Sequence, residues 1–163
     1  MTTDEAAPAR LPGRGDRVML DANLLLRVTA PADPRHRTAL NAVAKLEAAG
    51  AECVTATQAL CEFWVVATRP AGSPNGFGRT IAQADVGLRR LETQFTFLED
   101  PPTTRDVWRR LVRDRGVAGK PAHDARLAAT AIAAGVPAVL TFNVGDFARF
   151  AADGLAALDP AAV

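Results

Sequence analysis

Tyrosine is absent from these 163 residues, and lysine, histidine, methionine, cysteine and tryptophan occur only twice each. The two cysteines, Cys53 and Cys61, lie among apolar residues with no second Cys or His at a zinc-ligand spacing, so they read as reduced core cysteines rather than a metal site. No charge of one sign dominates either. Nineteen Lys and Arg against eighteen Asp and Glu leave a formal charge of +1, so no global field draws the chain onto nucleic acid, and any such binding must use a local patch. Long hydrophobic runs are missing too. The longest stretch without charge, 127–145, is mostly Ala and is broken at Gly135-Val136-Pro137, which excludes a membrane span. The first sixteen residues hold acids, prolines and glycines but no apolar centre, which does not fit a secretory signal. A flexible tail over 1–16, one domain over 17–163 and a cytoplasmic location are the expectations.

What is present is enough apolar material for a core: 48% hydrophobic and 23% charged residues. A chain of this length hides roughly 68–70% of its unfolded surface. Val18-Met19-Leu20 is too short for a helix, stops at Asp21 and reads as a buried strand. Leu24 to Arg27 continues as a helical turn, and a second helix runs from Asp33-Pro34 to about Ala49, stopped by Gly50. Glu52 to Thr55 reads as a strand, and Thr57 to Thr68 as a helix. Pro70 to Gly78 is the one internal loop rich in turn formers, a length that is often functional. Helices follow over Thr80 to Glu92, Thr103 to Arg115 and His123 to Ala134, with strands at Phe95 to Leu98, Ala138 to Phe142 and an edge piece near Leu155 to Leu158. Short strands alternating with helices predict an α/β fold on a parallel sheet, with ligands outside the carboxyl ends of the strands.

Those ends carry acids. Asp21 closes the first strand with Asn23 two residues on, and Asp146 follows Thr141-Phe142-Asn143 after the fourth. Either acid alone could be a helix N-cap. Glu62 is the only charge between Cys53 and Thr68. A carboxylate there is costly to bury unless it is paired, with Arg69 as one candidate, or set at the exposed edge of its helix. Asp124 sits in the first turn of its helix, where the macrodipole favours an acid, yet it shares a face with the small Ala128 and Ala131. If the four acids meet, two charges about 4 Å apart repel by roughly 4 kcal/mol at an effective dielectric near 20. A cation relieves that conflict. Oxygen donors without His or Cys favour Mg²⁺ or Mn²⁺, which serve phosphoryl chemistry.

The segments VMLDANLLLR, the lone Glu62, KPAHDARLAATAIAAG and VLTFNVGDFARF resemble, in order and approximate spacing, those of PIN-domain proteins, and the chain looks like the VapC-type toxins of toxin–antitoxin pairs. The resemblance covers roughly Val18 to Pro160. It implies a three-layer α/β/α sandwich with a parallel sheet and a metal-dependent endoribonuclease site. Asp21, Glu62, Asp124 and Asp146 would then hold one or two Mg²⁺ or Mn²⁺ ions, Asp21 and Asp124 most directly. Asn23, Thr141 and Asn143 would hold the carboxylates or a water on the metal, and in-line attack would leave a 3′-hydroxyl and a 5′-phosphate. Ala22 stands where Thr or Ser is frequent in the family, and a longer tail precedes the first acid.

The resemblance further implies a cognate VapB-like antitoxin presenting a basic side chain to the acids, and a homodimer. Leu25, Leu40, Leu46, Phe63 and Trp64 are candidate antitoxin contacts, although Trp64 and Trp108 also suit the core. Seventeen of the nineteen cations are Arg, which grips phosphate and stacks on bases. Arg69, Arg79, Arg105, Arg109, Arg113 and Arg149 are candidates for an RNA substrate. Two other enzyme classes fit poorly: a haloacid-dehalogenase-type phosphatase wants Asp where Asn23 stands, and a phosphoacceptor receiver wants adjacent acids and a late Lys. A PIN-like scaffold that binds RNA or a partner without cutting stays open.

Overall fold

The structure is a computed structural model and describes residues 10–163. Most of the expected tail over 1–16 therefore lies outside the described residues. Of the rest, Gly13 to Asp16 form a turn in which the Gly13 N–H donates to the Asp16 carboxylate at 2.9 Å, and the Asp16 carbonyl accepts from Glu52 N.

Strand β1 (Arg17–Leu20) leads into α1 (Ala22–Val28) and α2 (His36–Ala48); then come β2 (Glu52–Ala56), α3 (Thr57–Thr68), α4 (Ile81–Gln94) and β3 (Thr96–Leu98). The second half is α5 (Thr104–Asp114), α6 (Ala122–Ala133), β4 (Ala138–Leu140), α7 (Val144–Ala148), a 3-10 turn (Ala151–Asp153) and β5 (Ala156–Leu158). The five strands are parallel in the order β3-β2-β1-β4-β5, with Val18 opposite both Cys53 and Ala138. Helices on both faces complete the α/β sandwich.

This order places β1 in the centre and sets the site. The chain walks outward from β1 through β2 to β3, then returns to build β4 and β5 on the other side. The order reverses between β1 and β4, and a crevice opens at the carboxyl ends of strands at such a switch point. Asp21 lies there, with its N–H donating to the Leu140 carbonyl of β4.

Burial explains why β1 reads as an unbroken apolar run. Val18, Met19 and Leu20 are wholly buried, flanked on both sides by strands and covered by helices. Phe63 of α3, Phe147 of α7 and Phe150 are likewise fully buried, each contributing roughly 1.5–3 kcal/mol of hydrophobic stabilisation. Gly50 ends α2 in the left-handed region (φ +87°). Its N–H donates to Glu47 and that of Ala51 to Leu46, a Schellman closure.

Several expectations change. Phe142 and Thr141 lie beyond β4, and α7 takes up the Asp146 segment, which carries too few residues to show a helical period. Cys53 is buried but Cys61 is exposed on α3, so only one of the pair belongs to the core; both are free thiols. Leu25, Leu46 and Phe63 are fully buried and cannot meet a partner without unfolding. Leu40 and Trp64 are partly buried against the core. Trp108 is fixed by its indole N–H, which donates to the Ala122 carbonyl at 3.1 Å.

Candidate active site

Asp21 is both a helix cap and a site residue. Its extended backbone ends β1, and its Oδ1 accepts from Ala22 N at 2.7 Å, satisfying a free amide of α1. Oδ2 accepts from Asn23 Nδ2 at 2.6 Å and from the Thr141 hydroxyl at 2.8 Å. Asn23 Oδ1 in turn accepts from Phe142 N at 3.1 Å, and the Thr141 oxygen accepts from Asn23 Nδ2 and Asn143 N, each at 3.0 Å. Asn23 and Thr141 thus hold the carboxylate and tie β1 to the segment after β4. Asn143 contributes its backbone N–H, while its side chain is exposed and makes no hydrogen bond among the described residues.

Burial, above all, pushes the Asp21 carboxyl from 3.8 up to about 7, with the Glu62 and Asp124 carboxylates adding to the rise and the Thr141 and Ala22 hydrogen bonds opposing it. Asp124, half-buried in the first turn of α6, is pushed up to about 6, first by burial and then by Asp146 and Glu62. The four acids therefore share one electrostatic neighbourhood.

Glu62 has no salt bridge to Arg69, whose guanidinium instead donates to the Pro74 carbonyl. It is held by Gln58, one helical turn earlier on α3, whose Nε2 donates to Glu62 Oε1 at 2.9 Å and to the His123 carbonyl at 2.7 Å. Gln58 fastens α3 to the start of α6 and so couples the Glu62 and Asp124 sides. The i, i+4 spacing from Gln58 to Glu62 was available in the sequence, although the bridge to His123 was not. Asp146 is not an N-cap: Asn143 precedes α7, and Asp146 lies exposed in its first turn.

Among the described residues, no three His, Cys, Asp or Glu side chains converge closely enough to enclose an ion. Cavities of about 490 and 470 Å³ open nearby, but none of the four acids lines either one. The donors nevertheless suit a hard cation. They are all oxygens, they repel one another, and among the described residues no Lys or Arg forms an ion pair with any of the four. Mg²⁺ commonly keeps several waters and takes only one or two carboxylates from its protein, so a loose set of acids fits it better than it fits Zn²⁺.

The PIN domain profile matches residues 18–153. The chain belongs to the PIN domain family. No curated protein matches the sequence. Among solved structures this PIN domain is similar to VapBC2 from Rickettsia felis bound to a DNA fragment from the promoter, at 16% identity and TM-score 0.63, over 88% of this chain and 98% of the other. It is also similar to VapC20 of Mycobacterium tuberculosis, a Sarcin-Ricin loop cleaving toxin, at 20% identity and TM-score 0.60, over 80% and 93% of the two chains. VapBC-1 from nontypeable Haemophilus influenzae gives 16% identity and TM-score 0.62, over 88% and 98%. At these identities the likeness concerns the fold. No described helix of this PIN domain is long and apolar enough to cross a membrane.

Proposed function

We propose that the chain is a Mg²⁺- or Mn²⁺-dependent endoribonuclease acting in the cytoplasm as the toxin of a VapBC-type pair. The observation that carries this reading is Asp21, a buried acid at the sheet's switch point that feels the Glu62 and Asp124 carboxylates and, among the described residues, forms no ion pair. Asp21 and Asp124 would be the direct ligands, with Glu62 and Asp146 completing the acidic set. A bound ion would neutralise charge developing on phosphate oxygens and activate water at neutral pH.

The chain's own part is preorganisation. Asp21 cannot rotate, because three donors hold it, and Thr141 and Asn23 are held by backbone N–H groups in turn. Gln58 keeps the Glu62 carboxylate on the same side as the start of α6. RNA is the proposed substrate, and a VapB-like antitoxin and a second copy of the chain are the proposed partners. Val65 of α3 and Ile81 and Val86 of α4 are exposed apolar side chains open to such partners.

Purified protein is expected to cut RNA with Mg²⁺ or Mn²⁺, to stop with chelator, and to lose cleavage in Asp21→Asn and in Asp124→Asn. Unchanged cutting by both variants would sink the site. The toxin role needs growth arrest on expression, relieved by a small neighbouring protein. The looseness of the acid set favours one second reading, a PIN scaffold that binds RNA without cutting; its RNA binding would be indifferent to metal and to both substitutions.

A further inference from the structure

Beside the acids, on the α1 side, arginines and phenylalanines alternate in contact. Arg27 of α1 donates from Nη1 to the Asn23 carbonyl at 3.0 Å, so it touches the residue that holds Asp21. Its guanidinium lies over Phe77 at 5.6 Å and over Phe142 at 5.9 Å. Arg35 lies over Phe142 at 5.4 Å, and Arg79 over Phe77 at 5.5 Å. Phe142 stands between Thr141 and Asn143. Phe77 comes from the turn-rich loop over 70–78. The row Arg35, Phe142, Arg27, Phe77, Arg79 is therefore continuous and borders the site at its middle, where Arg27 meets Asn23 and Phe142 follows Thr141, beside a cavity of about 470 Å³ walled in part by residues 29–34.

Its charge is not cancelled. Asp33 is the acid paired with the row, 3.8 Å from Arg27 Nε, and that buried nitrogen has no hydrogen-bond partner. Arg79 uses its donors on Thr29 and the Leu26 carbonyl and serves as a pin. Arg35 is exposed, and its guanidinium has neither an ion pair nor a hydrogen bond among the described residues. Other arginines differ: Arg110 and Arg115 are paired with Asp153, and Arg126 with Asp100. Guanidinium planes interleaved with aromatic rings match the alternation of phosphates and bases in an unpaired strand.

We infer that the row from Arg35 through Phe142 and Arg27 to Phe77 is a subsite that carries single-stranded RNA to the carboxylates, with Arg35 as its open contact. The inference takes its substrate class from the proposed function. Its test separates the two: binding is measured with metal-free, full-length protein in chelator, using a fluorescein-labelled single-stranded RNA of about twelve nucleotides. Arg35→Ala is expected to weaken binding about tenfold and to flatten the salt dependence by about 0.7 in log–log slope, one phosphate's worth for a single strand. Arg35→Glu should weaken it further, and Arg90→Ala, on the exposed surface of α4, should stay within about twofold.

Wild-type affinity in Arg35→Glu would overturn the inference, as would the absence of RNA binding by the wild type or equal affinity for a duplex of the same length. A row that serves a protein partner would show the first of these results. If the wild type binds through Arg35 yet never cuts with Mg²⁺ or Mn²⁺, the subsite stands and the nuclease reading falls. If it cuts and Arg35→Glu leaves both affinity and KM unchanged, the nuclease reading stands and the subsite falls.

Discussion

Asp21 is a buried residue, whereas Asp153 is half-buried, although its side chain is only 4% exposed beneath two guanidiniums. Their carboxyls shift in opposite directions. Asp21 is pushed up to about 7 by burial beside other acids. Asp153, where the 3-10 turn meets α5, is held below the usual carboxylate range by hydrogen bonds from Arg115 and Arg110. Burial and the charge of the neighbours act together on Asp21, whereas at Asp153 the neighbouring guanidiniums outweigh a smaller burial. An acid clamped by two guanidiniums fastens the fold, whereas an acid left among acids is a place for a cation.

The largest effect should come from removing the uncompensated charge. Asp21→Asn keeps an oxygen for the Ala22 N–H and is expected to fold. It should lower the RNA cleavage rate by at least about a thousandfold, since it removes a proposed ligand and the negative charge together. The comparison breaks if the variant cuts like the wild type in a single-turnover assay, or if its melting temperature collapses as a fastening residue's would.

The two acids also predict opposite pH behaviour without metal. For Asp21 and Asp124, whose folded pKa values lie above the ordinary 3.8, the contribution to stability is complete below that value and is lost as pH rises through about 6 to 7. For Asp153 the sign reverses: its contribution is present above the ordinary value and is lost as pH falls through the lowered one. Metal-free protein should therefore be less stable at pH 8 than at pH 5. Mg²⁺ should restore it at pH 8, by about 2.7 kcal/mol when present at about a hundred times its Kd. Thermal melts at both pH values, with and without Mg²⁺, would check this; an equal Mg²⁺ effect at both would count against the coupled acids.

Gln58 tests whether the site depends on the bridge between its two sides. Gln58→Met keeps the length of the side chain but removes the donor to Glu62 and to the His123 carbonyl. About tenfold lower activity at limiting Mg²⁺ is expected, recovering at saturating Mg²⁺, in line with the usual cost of losing a residue that orients a ligand. A loss that excess Mg²⁺ does not restore would place Gln58 elsewhere in the mechanism.

The strand and helix order was legible because the signals for it are local: Thr57–Thr68 is a helix as expected, and Gly50 caps α2. Asp21, Asn23 and Thr141 were legible because strand ends gather on one edge of a parallel sheet. What stayed hidden depends on pairings distant in sequence. Arg27 and Arg35 look like ordinary surface cations until Phe142, more than a hundred residues later, lies beneath both. Arg105 and Arg113, which looked like RNA contacts, pair with the adjacent Asp106 and Asp114. The exposure of Cys61 depends on which face of α3 meets the core, and an apolar helix does not announce that.

Asp153→Asn, the mirror of Asp21→Asn, should produce the smallest effect and the sharpest contrast. The change removes the ion-pair partner of Arg110 and Arg115, but both reach solvent, with side chains 43% and 33% exposed, so neither is stranded as a buried charge would be. The expected cost is therefore on the order of 1 kcal/mol rather than the larger penalty of a broken buried pair. For a chain of this length that is a drop of roughly 2–4 °C in melting temperature. RNA cleavage should stay within about twofold, because Asp153 touches none of the four site acids. If Asp153→Asn silences cleavage while leaving the melt unchanged, the division between fastening and reacting carboxylates is wrong, and the α5 flank belongs to the site.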